Sequence, residues 1–552
     1  MLDAYSSKPE LLRSCEPPYS FFQLVDELAV RDTAEKNVSA AVPLHRFFSL
    51  MRKMGAKSFL LEVLDQNDEL TDECTMIKDA LGVTVSINVI RVTFFRSLPA
   101  DRRWQDKLRL PDDEILGYAV VVRLVRPAKR SCSFVYEAVV ISPTIAVAPN
   151  GNDVHLSRVA NYYIHNCRRF ETSIGPEGGN RIIPLVGSYF AQQNGVTHVC
   201  AHAALRMSIN SSPLFIKSGK LTNRRINDIL KLKWTDILRG LDHKQMSSVI
   251  QALGGTVQLA NFYSRPSMEY DQFVYPLMES GCPVILNVHG RSFLERSASP
   301  RSEEFGHALA VIGHTINTDR WEPEARSGYG SYQKQRDLYL PAVAWTDHLI
   351  ISDDNFGMMV TLPTDSLRNL LIPDKNPALH AAEAIGIVPK GVKLWGYMAE
   401  QRAAEIFRGI NPRLFDTEPY WMAKLRSGPL VCRTILQRRR EYIVHLQEMH
   451  TLAGNAGSFS QGLQTELAAL PRRVWVTELS IPQLYTANRH KVADVLIDAS
   501  ADETLHTSGG SLAAVRLPGY IWFAKSKNGY AWPITGHTPL IAQCDEPRLC
   551  DW

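Results

Sequence analysis

A cysteine, a histidine and a pair of aspartates follow one another along this chain in settings that suit covalent chemistry. Cys200 lies between a loop with paired glutamines, Gln192-Gln193, and the apolar spacing of a predicted helix. His307 stands at the head of an apolar run that predicts a strand, and Asp353-Asp354 ends a second such run. A thiol, an imidazole and a carboxylate can together attack an acyl carbon, with the thiol as nucleophile.

The chemistry assigns a role to each of these groups. A cysteine attacks as thiolate, and a helix N-terminus and an imidazolium would both stabilise that form at Cys200. His307 would supply the imidazolium and pass its proton to the leaving group. Asp353 or Asp354 would orient the ring, and because neighbours on a strand point to opposite faces, we expect only one of them to face it.

An acyl-transfer site also needs donors for the oxyanion that forms on the attacked carbonyl. The backbone N–H of Cys200 is one such donor, and a glutamine amide from the preceding loop is the other. Gln193 is nearer in sequence than Gln192, so we predict that Gln193 serves this role.

The elements that must position these residues predict an α+β fold. In residues 1–155, helical patterns precede three apolar runs rich in β-branched residues, which predict an antiparallel sheet: Val83–Phe95, Ile115–Val125 and Ser133–Ile141. In residues 156–390, helices come first, including two that begin near Thr222 and Asp242, and strands such as Val284–Val288 follow.

The rest of the chain completes a three-domain prediction. A polar run, Asn317–Lys334, reads as an insertion loop near the site. Residues 391–552 predict helices at Ala399–Phe407 and Val431–Met449, and strands from Val474 onward. We therefore expect an N-terminal α+β accessory domain (1–155), a central domain with the site (156–390) and a C-terminal α+β accessory domain (391–552).

Residues from about 180 to 365 resemble the papain-like cysteine peptidases, particularly the C39-like branch. The matching motifs are Gln193 before Cys200, the run Gly281-Cys282-Pro283-Val284-Ile285-Leu286, Gly306-His307-Ala308-Leu309-Ala310-Val311, and Asp353-Asp354-Asn355-Phe356-Gly357. The chain departs from the family in a longer Gln193–Cys200 spacing and in the polar insertion before the acids. The resemblance implies a helical half that carries the cysteine and an antiparallel sheet that carries the histidine and acid.

Composition narrows the class of partner. Sixty-one Lys and Arg against 57 Asp and Glu leave a net charge of +4, without a basic run interleaved with aromatics, so we expect no nucleic-acid partner. The N-terminal residues lack the pattern of a signal peptide and no apolar run reaches membrane-spanning length, so we expect no membrane partner. Nine scattered cysteines without a CxxC pair favour reduced thiols in the cytoplasm.

Several of these residues have simpler interpretations. An intracellular cysteine before apolar residues is usually a buried hydrophobe. His198, Cys200 and His202 invite a metal hypothesis, but the spacing does not suit helical ligands, and we expect neither metal nor cofactor. Cys167, beside two arginines, is an alternative nucleophile, although a structural role suits it better. Cys282 is predicted to be a core residue. The arginine run 438–440 is typical of a solvated helix face.

Three functional hypotheses follow. The leading one is an intracellular cysteine hydrolase, a protease or isopeptidase with a Cys-His-Asp triad and a thioester intermediate. Its substrate would be a protein or peptide, and the flanking domains could bind a protein partner. A second is a transglutaminase or acyltransferase that resolves the same thioester with an amine. A third is an inactive papain-like binding or assembly module.

Overall fold

The fold is described from a computed structural model of the chain. The described residues are 13–15, 21–29, 40–64, 68–81, 85–98, 114–126, 129–141, 162–174, 181–194, 196–197, 199–232, 240–262, 269–291, 304–315, 339–367, 379–409, 420, 423, 428–452, 457–488, 490–502, 511–524, 531–533 and 542–543. The predicted insertion loop lies outside them. The described residues form three seven-stranded sheets with their helices, so the fold is mixed α+β.

The first sheet has the strand order β1-β2-β3-β4-β5-β8-β7 and is antiparallel throughout. Its strands are β1 (Arg13–Ser14), β2 (Ser58–Val63), β3 (Ser86–Phe95), β4 (Ile115–Arg126), β5 (Lys129–Ile141), β7 (Arg168–Ile174) and β8 (Arg181–Phe190). The N-terminal helices are α1 (Phe21–Leu28), α2 (Ala41–Lys53) and α3 (Asp68–Leu81). Strands β7 and β8 follow residue 155, so this sheet extends past the predicted boundary.

The second sheet carries the candidate histidine and acids, in the order β14-β13-β11-β10-β15-β9, with β6 also paired to β11. Its strands are β6 (Tyr162–Ile164), β9 (Thr256–Asn261), β10 (Val284–Arg291), β11 (Glu304–Thr315), β13 (His348–Asp353), β14 (Gly357–Pro363) and β15 (Leu379–Val388). Within the described part of the chain, four helices precede its central strands: α4 (Cys200–Asn210), α5 (Asn223–Leu230), α6 (His243–Ala252) and α7 (Tyr270–Glu279). The predicted starts of α5 and α6 are confirmed, since Thr222 and Asp242 cap them.

The third sheet has the order β12-β16-β17-β19-β20-β21-β22, and a two-stranded ribbon joins β18 to β23. The strands are β12 (Tyr339–Pro341), β16 (Leu430–Arg438), β17 (Arg473–Ser480), β18 (His490–Lys491), β19 (Ala493–Asp498), β20 (Leu512–Leu517), β21 (Tyr520–Phe523), β22 (Ala531–Pro533) and β23 (Ala542–Gln543). The helices of this part are α8 (Gly396–Gly409), α9 (Arg439–Leu452), α10 (Gln461–Ala469) and α11 (Pro482–Asn488).

The predicted helix Val431–Met449 is wrong in its first eight residues, 431–438. Residues 430–436 are buried without a break and belong to β16, which pairs with β12 on one side and β17 on the other. The helix begins only at Arg439. A buried run this short fits a helix or a strand equally well, and here pairing with two neighbouring strands favours the strand.

The hydrophobic cores cross the predicted domain limits. The core under the first sheet includes Ala203 and Met207 of α4 and Ala310 of β11. A second core joins α7 and the second sheet to α8 and the third sheet, with Trp475 fully buried in it. Among the described residues, no helix has the length and apolar character to cross a bilayer.

Candidate active site

Cys200 is the first residue of α4, at the end of the helix where backbone amides lack carbonyl partners. Val199 before it is extended (φ −124°, ψ 177°), and no side chain caps the helix. The amides of a first turn carry partial positive charge, which favours an anion at this position. The rest of α4 is buried, whereas Cys200 is partly exposed. The sulfur can therefore meet a substrate while its helix is held in the core.

His307 of β11 lies between Cys200 and the two aspartates. The side chain of Cys200 lies close enough to the ring to help raise its pKa. Its Nε2 lies 3.3 Å from Asp353 Oδ1 and 3.4 Å from Asp354 Oδ1. Because Nε2 faces the carboxylates, Nδ1 is the ring nitrogen that remains for the thiol. The structure thus brings together the cysteine, the histidine and both candidate acids.

This environment raises the pKa of His307 from its ordinary 6.5 to about 11. Burial of the ring opposes its positive charge and acts to lower the pKa. Hydrogen bonds to Asp353 and Cys200 outweigh burial, and the charges of Asp353 and Asp354 add to them. The imidazolium is consequently the resting form of His307 at neutral pH.

Both aspartates face His307, which contradicts the expectation that only one would. Strand β13 ends at Asp353, after a register shift that follows Ile351, and Asp354 already belongs to the turn that leads to β14. Strand alternation therefore does not separate the two side chains. Asp353 also accepts hydrogen bonds from the backbone N–H groups of Asn355 (2.7 Å) and Phe356 (3.3 Å), so it shapes the turn as well.

The two glutamines before Cys200 occupy different environments. Gln192 is buried, and both its backbone N–H and its side-chain oxygen bond to the backbone of Val135, at 3.0 and 2.9 Å. Gln193 reaches the acid turn instead, where its Nε2 donates to Asn355 Oδ1 at 3.4 Å. An amide nitrogen has two hydrogens, so Gln193 keeps one donor for an oxyanion. Of the two, only Gln193 has the freedom that the predicted role requires.

Asn355 is a member of the site that the sequence did not single out. Its Nδ2 lies 3.5 Å from His307 Nε2 while its Oδ1 accepts from Gln193. It therefore contacts both the predicted oxyanion donor and the histidine. Its place in the Asp353-Asp354-Asn355 turn was visible in the sequence, but its contacts depend on two distant segments.

A buried carboxylate from the N-terminal helices holds the loop before Cys200. Oε1 of Glu73, on α3, accepts hydrogen bonds from Asn194 Nδ2 (3.0 Å) and Thr197 Oγ1 (3.1 Å). Oε2 accepts from Asn223 Nδ2 at 3.0 Å. Asn194 in turn accepts from the backbone N–H groups of Val196 and Thr197, both at 2.8 Å. Sequence reasoning missed Glu73, since it lies 121 residues from Asn194.

The alternative nucleophiles and the candidate metal ligand His202 lie in buried environments that indicate a structural role. Cys167 is buried, and this burial raises the pKa of its thiol to about 12. Cys282 is buried in the second core. His202 is fully buried with its Nε2 3.0 Å from Asn227 Oδ1. The other histidine of the metal hypothesis, His198, lies outside the described residues.

Among the residues that the structure describes, two side-chain groups have the composition and closeness to hold a metal ion. One is His307 with Asp353 and Asp354, and the other is a buried set, His165, Glu279 and His314. In the second set Glu279 is also bonded to the guanidinium of Arg433, at 2.7 and 3.2 Å. This positive charge already balances the carboxylate, so the set has an explanation as an ion pair.

Comparison of the chain with protein-family models and with curated protein sequences finds no match.

Proposed function

We propose that this protein is a cysteine hydrolase of papain-like, C39-like fold that cleaves peptide or isopeptide bonds through a thioester. The observation that carries the proposal is the contact between Cys200, at a helix N-terminus, and His307, whose other nitrogen faces two carboxylates. A buried ring with this pKa supports a thiolate–imidazolium pair as the resting state.

In the first half-reaction, the thiolate of Cys200 adds to the carbonyl carbon and the carbonyl electrons move onto oxygen. The backbone N–H of Cys200 and the free N–H of Gln193 stabilise this oxyanion. Collapse of the adduct breaks the C–N bond, and His307 gives its proton to the departing amine. The products of this step are a thioester on Cys200, a free amine and a neutral imidazole.

In the second half-reaction, His307 takes a proton from water, and the hydroxide adds to the thioester carbon. The C–S bond then breaks, which releases the acid product and restores the thiolate and imidazolium. Asp353 and Asp354 keep the same ring nitrogen protonated throughout, so that the other nitrogen carries the transferred proton.

The fold arrangement supports the papain-like part of this proposal. Helices α4 to α6 precede the strands, the cysteine begins the first of these helices, and an antiparallel sheet carries the histidine and the acid turn. The segments before and after this part would select the substrate, and a cytoplasmic location remains part of the proposal.

Alkylation kinetics provide the first test. The purified chain is treated with limiting iodoacetamide between pH 5 and pH 8, and the modification of each cysteine is measured by mass spectrometry. Cys15 and Cys132 are partly exposed like Cys200, so they serve as internal references. We expect Cys200 to react fastest at pH 5, since an ion-paired thiolate persists where ordinary thiols are protonated.

A matched pair of variants identifies the cause. His307→Ala should slow the reaction of Cys200 at pH 5 by tenfold or more, whereas His348→Ala, which removes a partly exposed histidine of the same sheet, should not. If Cys200 reacts no faster than Cys15 and Cys132, the proposal fails. A reactive Cys200 then justifies a peptide-library screen with and without an added amine, because an amine-dependent product would indicate an acyltransferase.

A further inference from the structure

A cavity of about 460 Å³ opens on one face of the first sheet, and none of the candidate active-site residues lines it. Its wall includes residues of β3, β4, β5, β7 and β8. The strand register explains this shared face, since Arg91 lies opposite Val120 and Val120 lies opposite Glu137. The volume falls within the range of small-molecule sites, roughly 300–1,000 Å³.

Some of the charges in this cavity already have partners. Arg91 is paired with Glu62 at 2.9 Å, and Lys220 is paired with Glu137. Burial would favour the neutral form of Glu137, but Lys220 outweighs burial and lowers the pKa of this carboxyl. Glu137 is therefore an anion whose charge is balanced within the wall.

Two arginines on the edge strand β7 remain, Arg168 and Arg169, against one exposed acid, Glu171. The Nε and Nη1 atoms of Arg168 are buried and have no hydrogen-bond partner among the described residues. Its guanidinium carbon lies 4.9 Å from the centre of the Phe170 ring, which supplies a stacking contact but no negative charge. A partly buried guanidinium with two nitrogens that lack an acceptor is destabilised by its lost hydration.

The rest of the wall is aliphatic and aromatic, with Leu64, Leu70 and Val120 beside four rings. The rings of Tyr118, Tyr136, Tyr189 and Phe170 line the cavity beside the arginines. Such rings pack well against a flat apolar body, while a guanidinium binds a carboxylate or phosphate with two parallel hydrogen bonds. We propose that this cavity binds a small aromatic or planar compound that bears an oxyanion, and that Arg168 is its main anion contact.

The cavity adjoins the helix of the candidate nucleophile without forming part of its chemistry. Arg206 of α4 donates to the hydroxyl of Tyr189 at 2.6 Å and lies 4.7 Å from the Tyr136 ring. The binding proposal uses neither Cys200 nor His307, so it does not depend on the proposed hydrolase activity.

Calorimetric titration of the full chain at low ionic strength tests the proposal with three probes of similar size. Phenyl phosphate and benzoate carry the two candidate oxyanions, and benzyl alcohol is the uncharged control. We expect saturable binding of at least one anion with one site per chain, and none of the alcohol. The stronger of the two anions identifies the oxyanion that the site prefers. Saturable binding of neither anion would overturn the proposal.

Arginine variants test whether the anion binds in this cavity. Arg168→Gln should weaken the affinity tenfold or more, while Arg440→Gln, which removes the same charge from an exposed position of α9, should leave it unchanged. Arg169→Gln changes an exposed residue of the same wall, so it tests the site even if the Arg168 variant does not fold. We expect it to weaken binding more than Arg440→Gln. Equal affinities in the folded arginine variants would refute the assignment.

Discussion

Replacement of Glu73 by glutamine tests whether an N-terminal helix positions the loop before the nucleophile. Glu73 is 2 % exposed, and its two oxygens accept three hydrogen bonds from Asn194, Thr197 and Asn223. Glutamine has nearly the same shape, but its NH₂ group cannot accept. Whichever oxygen it replaces, at least one of the three donors loses its acceptor and faces another donor instead.

The expected destabilisation of the loop follows from the number of hydrogen bonds that are lost. A hydrogen bond to a charged acceptor contributes about 1.5–3 kcal/mol, and a buried donor left without an acceptor adds a desolvation cost. With one or two bonds lost, we expect the loop to be destabilised by about 2–4 kcal/mol. Since about 1.4 kcal/mol corresponds to a factor of ten, local opening should become roughly 30- to 1,000-fold more frequent.

Hydrogen exchange followed by mass spectrometry measures this opening directly. The amides of Val196 and Thr197 donate to Asn194 Oδ1, and Asn194 is held by Glu73, so their exchange should accelerate in Glu73→Gln. Asp72→Asn is the matched control, because it removes a charge from the same helix at an exposed pair with Arg224. Exposed pairs contribute only about 0–1 kcal/mol. If the amides of Val196 and Thr197 exchange at the same rate in Glu73→Gln as in Asp72→Asn, the positioning role of Glu73 is refuted.

Three further predictions concern the site and its strand. His307 is protonated in the folded chain up to a pKa of about 11 and in the unfolded chain only up to about 6.5, so its contribution to stability is full below pH 6.5 and lost as pH rises toward 11. Asp354→Asn removes one of the charges that raise this pKa, so the loss begins at the same unfolded-state pKa but ends at a lower pH, seen as a free energy of unfolding that falls less between pH 9 and pH 11 than in the wild type; an equal fall in both proteins would contradict this. Gln193→Ala should lower the rate of thioester formation by about 10²–10³-fold while the alkylation rate of Cys200 is kept, since the amide acts on the oxyanion and not on the thiolate; equal loss of both rates would contradict this division. Gly313→Ala would place a methyl group against the carbonyl oxygen of Tyr163 and break the pairing of β6 with β11, so we expect a loss of about 2–4 kcal/mol in thermal unfolding, and an unchanged melting temperature would show that the strand can shift.

Local sequence patterns were sufficient to predict the elements that are determined by a few consecutive residues, such as helix starts. The starts of α5 and α6 follow from Thr222 and Asp242, which accept from the backbone N–H groups of Arg225 and Gln245. The order of cysteine, histidine and acids along the chain predicted three groups that the structure brings into contact. These signals depend on capping and on side-chain chemistry, and both act over a few residues.

Features that depend on distant pairing were not predictable in this way. Strand β16 was predicted as helix, since its pairing with β12 and β17 is invisible in its own residues. The turn at Asp354 escaped the alternation argument because the exact end of a strand is set by its partner, here β14. Glu73 lies on a helix that the sequence analysis did not predict, and its partners are far along the chain.

Residues of the N-terminal part contact the site at two places. These contacts limit where the chain can be truncated without disturbing the site. On one side Glu73 holds the loop before Cys200. On the other, Arg46 of α2 donates to the backbone oxygens of Met358 (3.1 Å) and Met359, directly after the acid turn. Gly357, the first residue after that turn, has φ +107°, and a Cβ there would lie 3.0 Å from Cβ of Arg46. Strand β8, which leads into the loop before Cys200, pairs with β5 of the N-terminal part. Residues 1–155 are therefore part of the structure that positions the nucleophile loop and the acids. A fragment that begins after them would lose both supports.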